Sequence, residues 1–205
     1  MKFVVLADEE RWNELCAAAP GEEWQKAADT VSFMNTAGAD AYFDLRNERN
    51  VSELACIQAP VFINSVCTGL SEMNAPANFI RINAWPGFTG KEVWEISGEV
   101  TAASVAVFKT LRKKYIAVND SPGFVSARII AMIINEAFYA RGENVSSEKD
   151  IDTAMKLGTN YPYGPFEWGR KIGLQNIYTL LKKLSVEDKK YLPAPDLEKE
   201  MNFPS

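Results

Sequence analysis

The sequence changes its pattern at Asn119-Asp120-Ser121-Pro122-Gly123, and this change constrains the fold more than any other feature. Up to about residue 118, short apolar runs rich in β-branched and aromatic residues alternate with turns and with segments of helical composition. Such runs favour buried strands, and strands that alternate with helices favour a largely parallel sheet. After residue 121 the pattern is helical throughout. The sequence therefore predicts an α/β domain over residues 1–119 and an all-α domain over residues 120–205.

Seven apolar runs are the predicted strands of the first domain. They cover residues 3–7, 30–34, 41–45, 61–66, 79–84, 93–97 and 115–118. Helices are predicted over residues 9–19, 51–57 and 101–114, the last with Thr101 as its N-cap. Only residues 35–40 separate the second and third predicted strands, fewer than the dozen or more that a parallel crossover needs. We therefore expect one helix of the usual alternation to be missing.

In the second domain, residues 124–141 are apolar on nearly every face, which predicts a central helix buried on most sides. Ser147, three residues before Asp150, is typical of the N-terminus of the next helix. The run Gly164-Pro165-Phe166-Glu167 predicts the start of another, with the proline in the first turn and the phenylalanine in the core. A further amphipathic helix is expected over residues 172–184.

Composition excludes several classes of protein. With 27 acidic and 22 basic residues the net charge is -5, which argues against a protein that neutralises nucleic-acid phosphates. Cys16, Cys56 and Cys67 lack any Cys-x-x-Cys spacing, so neither a disulfide framework nor a metal site is predicted. The longest apolar run, residues 129–134, is far below the roughly 18 residues that span a bilayer, and the apolar start is too short for a secretory segment. We expect a soluble cytoplasmic protein with no membrane or nucleic-acid partner.

Three motifs of the second half occur in a distinctive order. They are Asn119-Asp120-Ser121-Pro122-Gly123-Phe124-Val125, Asp150-Ile151-Asp152-Thr153-Ala154-Met155-Lys156-Leu157-Gly158 and Tyr161-Pro162-Tyr163-Gly164-Pro165-Phe166-Glu167. In this order and spacing they resemble the helical C-terminal domain of the 3-hydroxyacyl-CoA dehydrogenases, an all-α domain of the 6-phosphogluconate-dehydrogenase type. The resemblance implies a shortened Rossmann-like domain before it. It also implies an enzyme that oxidises a 3-hydroxyacyl thioester by passing hydride to NAD, with a histidine as base.

The resemblance continues upstream more faintly and carries three candidate site residues. The run from Phe79 to Trp85 falls where the family writes Phe-Ile-Gly-Met-His-Phe-Phe, so Asn83 holds the position of the catalytic histidine. Glu95, twelve residues later, holds the position of the glutamate that orients that histidine. Thr68 stands where the family has a serine near its substrate. The chain contains no histidine at all, and an asparagine cannot take up a proton at neutral pH.

The cofactor site that the resemblance implies is altered. The family's glycine-rich turn after the first strand brings the backbone close to the pyrophosphate at a helix N-terminus. Here the turn reads Ala7-Asp8-Glu9-Glu10-Arg11-Trp12, with no glycine and three carboxylates. The second predicted strand ends in Met34-Asn35, without the acid that would hold the ribose. The family's Asn-Arg pair at the start of the long helix reads Ala127-Arg128.

These departures predict a family member without NAD-dependent turnover. It would bind no cofactor and act as a dimeric binding or regulatory protein with a possible acyl-CoA ligand, held by Thr68 and Asn83. The homodimer would form through the helical domain, as in the family. The alternative is an active NAD-dependent 3-hydroxyacyl-CoA dehydrogenase with an atypical site that uses Glu95 directly as its base. For Glu95, Thr68 and Asn83 an ordinary structural role at a strand end stays open.

Overall fold

The computed structural model describes residues 1–47 and 51–202. The chain forms two compact units, Met1–Phe124 and Val125–Ser205. The first unit combines strands and helices, and the second is built from helices alone within the residues described. The fold class expected from the change of pattern near residue 120 is therefore confirmed.

Within the described residues, seven strands build one sheet. They are β1 (Lys2–Leu6), β2 (Glu23–Lys26), β3 (Ala41–Asp44), β4 (Val61–Asn64), β5 (Phe79–Ile82), β6 (Val93–Ser97) and β7 (Lys114–Ala117). Their order across the sheet is β2-β1-β3-β4-β5-β6-β7. Every neighbouring pair is parallel except β5 and β6, which are antiparallel. This is the mostly parallel, shortened Rossmann-like sheet that the sequence predicts.

The sheet is buried on both faces because its central strands are apolar at most positions. All residues of β3, β4 and β5 are buried. Phe3, Phe43 and Phe62 belong to the core cluster on one face, whereas Val4 and Ile63 belong to the cluster on the other. Strands covered on both sides read as continuous apolar runs rather than as alternating ones, which is why these strands could be recognised in the sequence.

Three α-helices of this domain begin at a capping side chain. They are α1 (Glu9–Cys16), α2 (Thr30–Asn35) and α3 (Ala102–Thr110), and a short 3-10 helix covers Val51–Cys56. Asp8, Asp29 and Thr101 each accept a hydrogen bond from a backbone N–H of the first turn. The N-cap predicted at Thr101 is confirmed.

The prediction of a strand over residues 30–34 is wrong, because these residues form α2. Asp29 and Ser32 form a reciprocal capping box at its start, and Phe33 points its ring into the core. The second strand is β2, whose sequence Glu23-Trp24-Gln25-Lys26 contains no apolar run. It lies at the edge of the sheet with three of its four residues exposed, so little apolar surface is needed there.

The expectation that one helix of the alternation is missing is therefore also wrong, because α2 is that helix. Residues 27–40 connect β2 to β3, and α2 lies within them. Such a connection is long enough for a parallel crossover. The alternation of strands and helices is therefore intact at this point.

The second unit is a helical domain arranged around one long helix. Its helices are α4 (Val125–Gly142), α5 (Glu148–Thr159), α6 (Pro165–Ile172), α7 (Leu174–Ser185) and α8 (Pro195–Asn202), with a short 3-10 helix at Lys189–Tyr191. α4 packs against each of the other four α-helices. The predicted central helix, the N-cap at Ser147 and the helix start at Pro165 are confirmed.

The expectation that α4 is buried on most sides is wrong. Seven of its 18 residues are buried, while Val125 and Ile129 are each 56% exposed. Its own domain therefore leaves one apolar face of α4 open. No helix in the described part of the chain is long and apolar enough to cross a membrane.

Candidate functional site

The sheet has a switch point where β1 lies between β2 and β3. The chain leaves β1 toward β2 on one side and returns to β3 on the other, so the connections diverge at the carboxyl ends of β1 and β3. In open α/β sheets, a crevice that binds ligands forms at such a point. The residues that follow β1, β3 and β4 therefore decide what this crevice can hold.

The turn after β1 is capped by its own carboxylate. Asp8 Oδ1 accepts a hydrogen bond from the backbone N–H of Arg11 at 2.9 Å. A helix N-terminus presents donors that suit an anion, and here the anion is supplied by the chain itself. Glu9, the next residue, forms an ion pair with Lys26 of β2.

The side chain of Arg11 is buried at the mouth of the crevice, with only 6% of the residue exposed. Its Nε donates to the backbone oxygen of Ala84 at 2.6 Å, and Nη2 donates to Asn47 Oδ1 at 3.3 Å. Nη1 forms an ion pair with Asp8. One guanidinium thus joins the chain segments that follow β1, β3 and β5.

Asn64 at the end of β4 completes this set of contacts. Its Nδ2 donates to Asn47 Oδ1 at 3.0 Å, and its Oδ1 accepts from the N–H of Ala84 at 3.1 Å. We call Asp8, Arg11, Asn47, Asn64 and the backbone of Ala84 the crevice network. This arrangement does not fit a diphosphate laid on the N-terminus of α1, because Asp8 already accepts from the N–H of Arg11 and the buried side chains of Arg11 and Asn64 are bonded within the chain.

Two further acids at this edge of the sheet are engaged within the chain. Asp29 follows the end of β2, so the statement that no acid lies there is corrected. Its carboxylate caps α2, and hydrogen bonds from Ser32 lower its pKa from the ordinary value. Asp44, at the end of β3, accepts from Arg46 Nε at 3.0 Å and Nη2 at 2.8 Å.

Asn83 and Glu95 lie beside the paired residues of β5 and β6. The antiparallel pairs of β5 and β6 are Arg81 with Ser97 and Ile82 with Ile96, and one further step of this register places Asn83 opposite Glu95. Residues directly opposite in an antiparallel pair lie side by side on one face of the sheet. Asn83 is 6% exposed, and its Oδ1 accepts from the N–H of Trp85 at 3.2 Å.

This pair can bind polar groups but has only one group able to accept a proton. The Asn83 amide can donate and accept hydrogen bonds without titrating near neutral pH. The carboxylate of Glu95, which is partly buried in β6, can accept a proton. The site roles of both residues remain predictions.

Thr68 lies in the turn that follows β4. Its backbone oxygen accepts a hydrogen bond from Ser65 Oγ at 2.7 Å. Since Asn64 pairs with Ile82, one further step of the register places Ser65 beside Asn83. The turn that contains Thr68 is thus anchored next to the predicted site, and a ligand contact by its hydroxyl remains a prediction.

Sequence reasoning missed the ion pair between buried Arg81 and Asp120. Arg81 lies in β5, two residues before Asn83 and therefore on the same face of the sheet, and it is 1% exposed. Its Nη1 donates to Asp120 Oδ1 at 2.6 Å, and its Nε donates to the backbone oxygen of Ser65 at 2.8 Å. The sequence signal that could have revealed this pair is Arg81 itself, a charged residue inside an apolar strand at a position where the family has glycine.

Asp120 accepts hydrogen bonds from several groups at once. The backbone N–H groups of Leu70 and Ser71 each donate to it at 2.8 Å, and Ser71 Oγ donates at 2.9 Å. Partial burial raises the pKa of this carboxyl, but the bonds from Ser71, Arg81 and Leu70 outweigh it and hold the pKa well below its usual range. The pair therefore fixes the loop after β4 against β5.

In the helical domain, the motif at Gly164 has the structural role predicted for it. Asp152 of α5 accepts from the backbone N–H of Phe166 at 2.8 Å and of Glu167 at 3.1 Å, and so caps α6. A Cβ at Gly164 would lie 2.3 Å from Asp152 Cγ. Phe166 is 2% exposed and packs against Phe138 of α4.

The open face of α4 lines a groove with a volume of about 570 Å³. The α4 residues that line it are Arg128, Ile129, Met132, Ile133, Glu136, Ala137 and Ala140, and α5 adds Ile151 and Met155. Apart from one basic and one acidic residue of α4, these side chains are apolar. No group of residues that could hold a metal ion occurs in the described residues.

Residues 123–202 match the family model of the C-terminal domain of 3-hydroxyacyl-CoA dehydrogenase. This domain of the chain is thus similar to the C-terminal domain of the 3-hydroxyacyl-CoA dehydrogenase superfamily. The expectation drawn from the three motifs of the second half is thereby confirmed.

Two curated members of this superfamily and one solved structure define the extent of the similarity. The 3-hydroxyadipyl-CoA dehydrogenase of Escherichia coli (strain K12) is 53% identical over 72 residues, which are 35% of this chain and 15% of that protein. The probable 3-hydroxybutyryl-CoA dehydrogenase of Bacillus subtilis (strain 168) is 41% identical over 106 residues, which are 50% of this chain and 37% of that protein. The chain thus spans well under two thirds of either relative.

The similarity in structure extends further than the similarity in sequence. The crystal structure of (S)-3-hydroxybutyryl-CoA dehydrogenase from Ralstonia eutropha aligns with a TM-score of 0.73 at 20% identity, over 98% of this chain and 93% of that one. At this identity the likeness concerns the fold alone. It covers the α/β domain as well as the helical domain, in agreement with the predicted fold class.

Proposed function

We propose that this chain is a 3-hydroxyacyl-CoA dehydrogenase-like protein of fatty-acyl-CoA metabolism that works without NAD-dependent turnover, as a dimeric binding or regulatory protein. The observation that carries the proposal is the crevice network. Asp8 occupies the donor at the N-terminus of α1, and Arg11 is buried among backbone and side-chain acceptors. Without a bound dinucleotide there is no hydride acceptor, so oxidation of a hydroxyacyl group cannot proceed.

The absence of a histidine supports the same proposal. Asn83 stands at the position where the family resemblance has the general base, and the chain has no histidine elsewhere. Losing a positioned base typically costs about 10² to 10⁴ in rate. This loss would leave a slow enzyme, whereas the loss of cofactor binding removes the reaction.

The ligand we propose is an acyl-CoA thioester. The Asn83 amide can donate a hydrogen bond to a thioester carbonyl without taking part in proton transfer. Thr68, in the turn anchored by Ser65, adds a hydroxyl near the same strand ends. Binding would then need no change in the protonation of Asn83.

The alternative function is an active NAD-dependent dehydrogenase in which Glu95 takes the proton. The observation in its favour is that Glu95 precedes Ile96, which pairs with Ile82 next to Asn83. A carboxylate near the place of the missing imidazole is what this alternative needs. The relatives named above are themselves called dehydrogenases. This alternative requires the dinucleotide to bind despite the crevice network.

Two titrations separate these functions. We expect no change in nicotinamide fluorescence when NADH is titrated with the protein, and binding at micromolar levels would contradict the proposal. We expect acetoacetyl-CoA to give a measurable heat of binding, which Asn83→Ala and Thr68→Ala should weaken. If no acyl-CoA affinity is found, the binding role is wrong. Glu95→Gln is the matched control, since it removes the only candidate base while keeping a polar side chain.

Replacing Asn83 by histidine tests which loss is limiting. We expect Asn83→His to show no acetoacetyl-CoA-dependent oxidation of NADH, because the cofactor site is the deeper defect. Appreciable turnover in this variant would refute that ranking and favour the alternative.

The dimeric part of the proposal depends on the open face of α4. Val125 and Ile129 are more than half exposed, and Ile129, Met132 and Ile133 line the groove. An apolar surface of this kind in a water-soluble domain is commonly an interaction site. A second copy of the chain is the occupant proposed here.

The charges on this face are complementary to a second copy of the same face. Arg128 and Glu136 lie eight residues apart, about 12 Å along the helix, with Met132 midway between them. If two copies of α4 pack antiparallel about a twofold axis near Met132, Arg128 of each protomer lies next to Glu136 of its partner. A twofold interface requires this kind of self-complementarity.

A further inference from the structure

The crevice network has a role beyond excluding a cofactor, and the inference drawn here rests on the proposed function. Its members come from the start of α1 after β1, the turn after β3, the end of β4 and the segment after β5, four parts of the chain that are distant in sequence. In a nucleotide-binding protein of this fold, ligand contacts at the switch point tie such segments together. Here the chain makes these contacts itself.

Each nitrogen of the Arg11 guanidinium has an acceptor within the protein. Nη1 pairs with Asp8, Nε donates to the Ala84 backbone and Nη2 donates to Asn47. Because the residue is 6% exposed, losing any of these partners would leave a buried positive charge with an unsatisfied donor. Such losses are costly in the protein interior. The network is therefore a mutually dependent unit.

A second side chain of α1 fastens the same distant segment. Glu14, three residues after Arg11 and so on the same side of the helix, accepts from the backbone N–H groups of Gly87 at 3.1 Å and Gly90 at 3.2 Å. It also accepts from the hydroxyl of Thr89, which is fully buried. The helix that would receive a pyrophosphate is thus bonded at two points to the connection between β5 and β6.

We infer that the Asp8–Arg11 pair is an internal substitute for the dinucleotide. The carboxylate of Asp8 supplies the anion at the N-terminus of α1, and the guanidinium of Arg11 joins the strand ends that a cofactor would otherwise bridge. The α/β domain consequently reaches its full stability with no nucleotide bound. A loss of cofactor binding is in this way compensated within the fold.

A double-mutant cycle on the full chain tests this inference. Urea unfolding is followed by tryptophan fluorescence, since Trp12, Trp24, Trp85 and Trp94 all lie in the α/β domain. We expect Asp8→Asn and Arg11→Met each to raise the unfolding equilibrium constant by about 10- to 100-fold. The double variant should add at most about 3-fold to the larger single effect, because the two residues act as one unit. Glu9→Gln is the control, an exposed ion pair whose loss should change the constant by less than about 3-fold.

Each outcome has a defined meaning. If the effects of Asp8→Asn and Arg11→Met multiply as independent changes do, or if both equal the control, the inference is wrong. Should Arg11→Met fail to fold, Arg11→Lys replaces it in the cycle, and the same lack of coupling to Asp8→Asn would overturn the inference.

A rise in the melting temperature of the wild-type protein with NADH contradicts the proposed function. Loss of that rise in the Arg11 variant would place the nucleotide in the crevice and overturn the inference too, whereas its persistence would leave the inference standing.

Discussion

At the scale of single residues, the contact that most affects the predicted site is the pair of Arg81 and Asp120. Burial lowers the pKa of the Arg81 guanidinium, and the hydrogen bond and charge of Asp120 oppose that shift. The pKa of Asp120 lies below its value in an unfolded chain. Ionised Asp120 therefore contributes stability that is fully present above about pH 4 and is lost as the pH falls through the folded value.

We expect Asp120→Asn to lower the free energy of unfolding at pH 7 by about 2–4 kcal/mol, because it leaves the buried Arg81 without its counter-ion. The difference between wild type and variant should shrink as the pH is lowered from about 4 to 2. Urea unfolding across this pH range measures it. Glu92→Gln is the control, since Glu92 pairs with Lys114 on the surface and should cause no measurable change. A difference that stays constant down to pH 2 would rule out this role for Asp120.

The family resemblance predicted one part of the site, and the sequence missed another. The resemblance assigned Asn83 and Glu95, twelve positions apart, to one site, and they lie beside the paired residues of β5 and β6. The contact of Arg11 with Ala84 joins residues 73 positions apart. No local pattern reports such a pairing. The sequence therefore predicted three carboxylates opposing a diphosphate, whereas Asp8 acts as a cap and ion-pair partner.

At the scale of elements, burial decided which strands could be predicted. The central strands β3, β4 and β5 are buried on both faces and were found from their apolar runs. β2 is an exposed edge strand held by pairing with β1, and its composition carries no strand signal. The helix α2 was mistaken for a strand because Thr30, Val31 and Phe33 are residue types enriched in strands, although the capping box at Asp29 identifies a helix start.

The start of α6 provides a prediction at this scale. A Cβ at Gly164 would overlap Asp152, the side chain that caps the helix. We expect Gly164→Ala to lower the free energy of unfolding by about 1–3 kcal/mol through crowding and loss of the cap. Gly158→Ala in α5 is the matched control, because nothing lies within 4 Å of its Cβ position, and it should be neutral or slightly stabilising. Equal effects of the two substitutions in thermal unfolding would show that Asp152 is not constrained by Gly164.

For the whole molecule, the open question is what covers the apolar face of α4. If two copies of this face pack together, the exposed apolar side chains of Ile129 and its neighbours are buried. Arg128 of each copy then meets Glu136 of the other across the twofold axis. Solvent-exposed ion pairs contribute little to affinity, but like charges placed opposite each other in an interface cost considerably more. Exchanging one charge therefore tests the geometry as well as the existence of the dimer.

We expect the wild-type protein to sediment as a dimer at micromolar concentration. Arg128→Glu and Glu136→Arg should each weaken the dimer by about tenfold or more, because each places like charges together, and the double exchange should restore most of the affinity. Lys149→Glu makes the same charge change as Arg128→Glu at an exposed position of α5 and should leave the dimer unchanged. Sedimentation velocity over a concentration series measures all four proteins against wild type.

A monomeric wild type would refute the dimer. If Ile129→Asp then also abolished binding of long-chain acyl-CoA, the groove would hold an acyl chain instead. Failure of the double exchange to rescue the single ones would refute the antiparallel arrangement, since only there does each arginine lie beside its partner's glutamate.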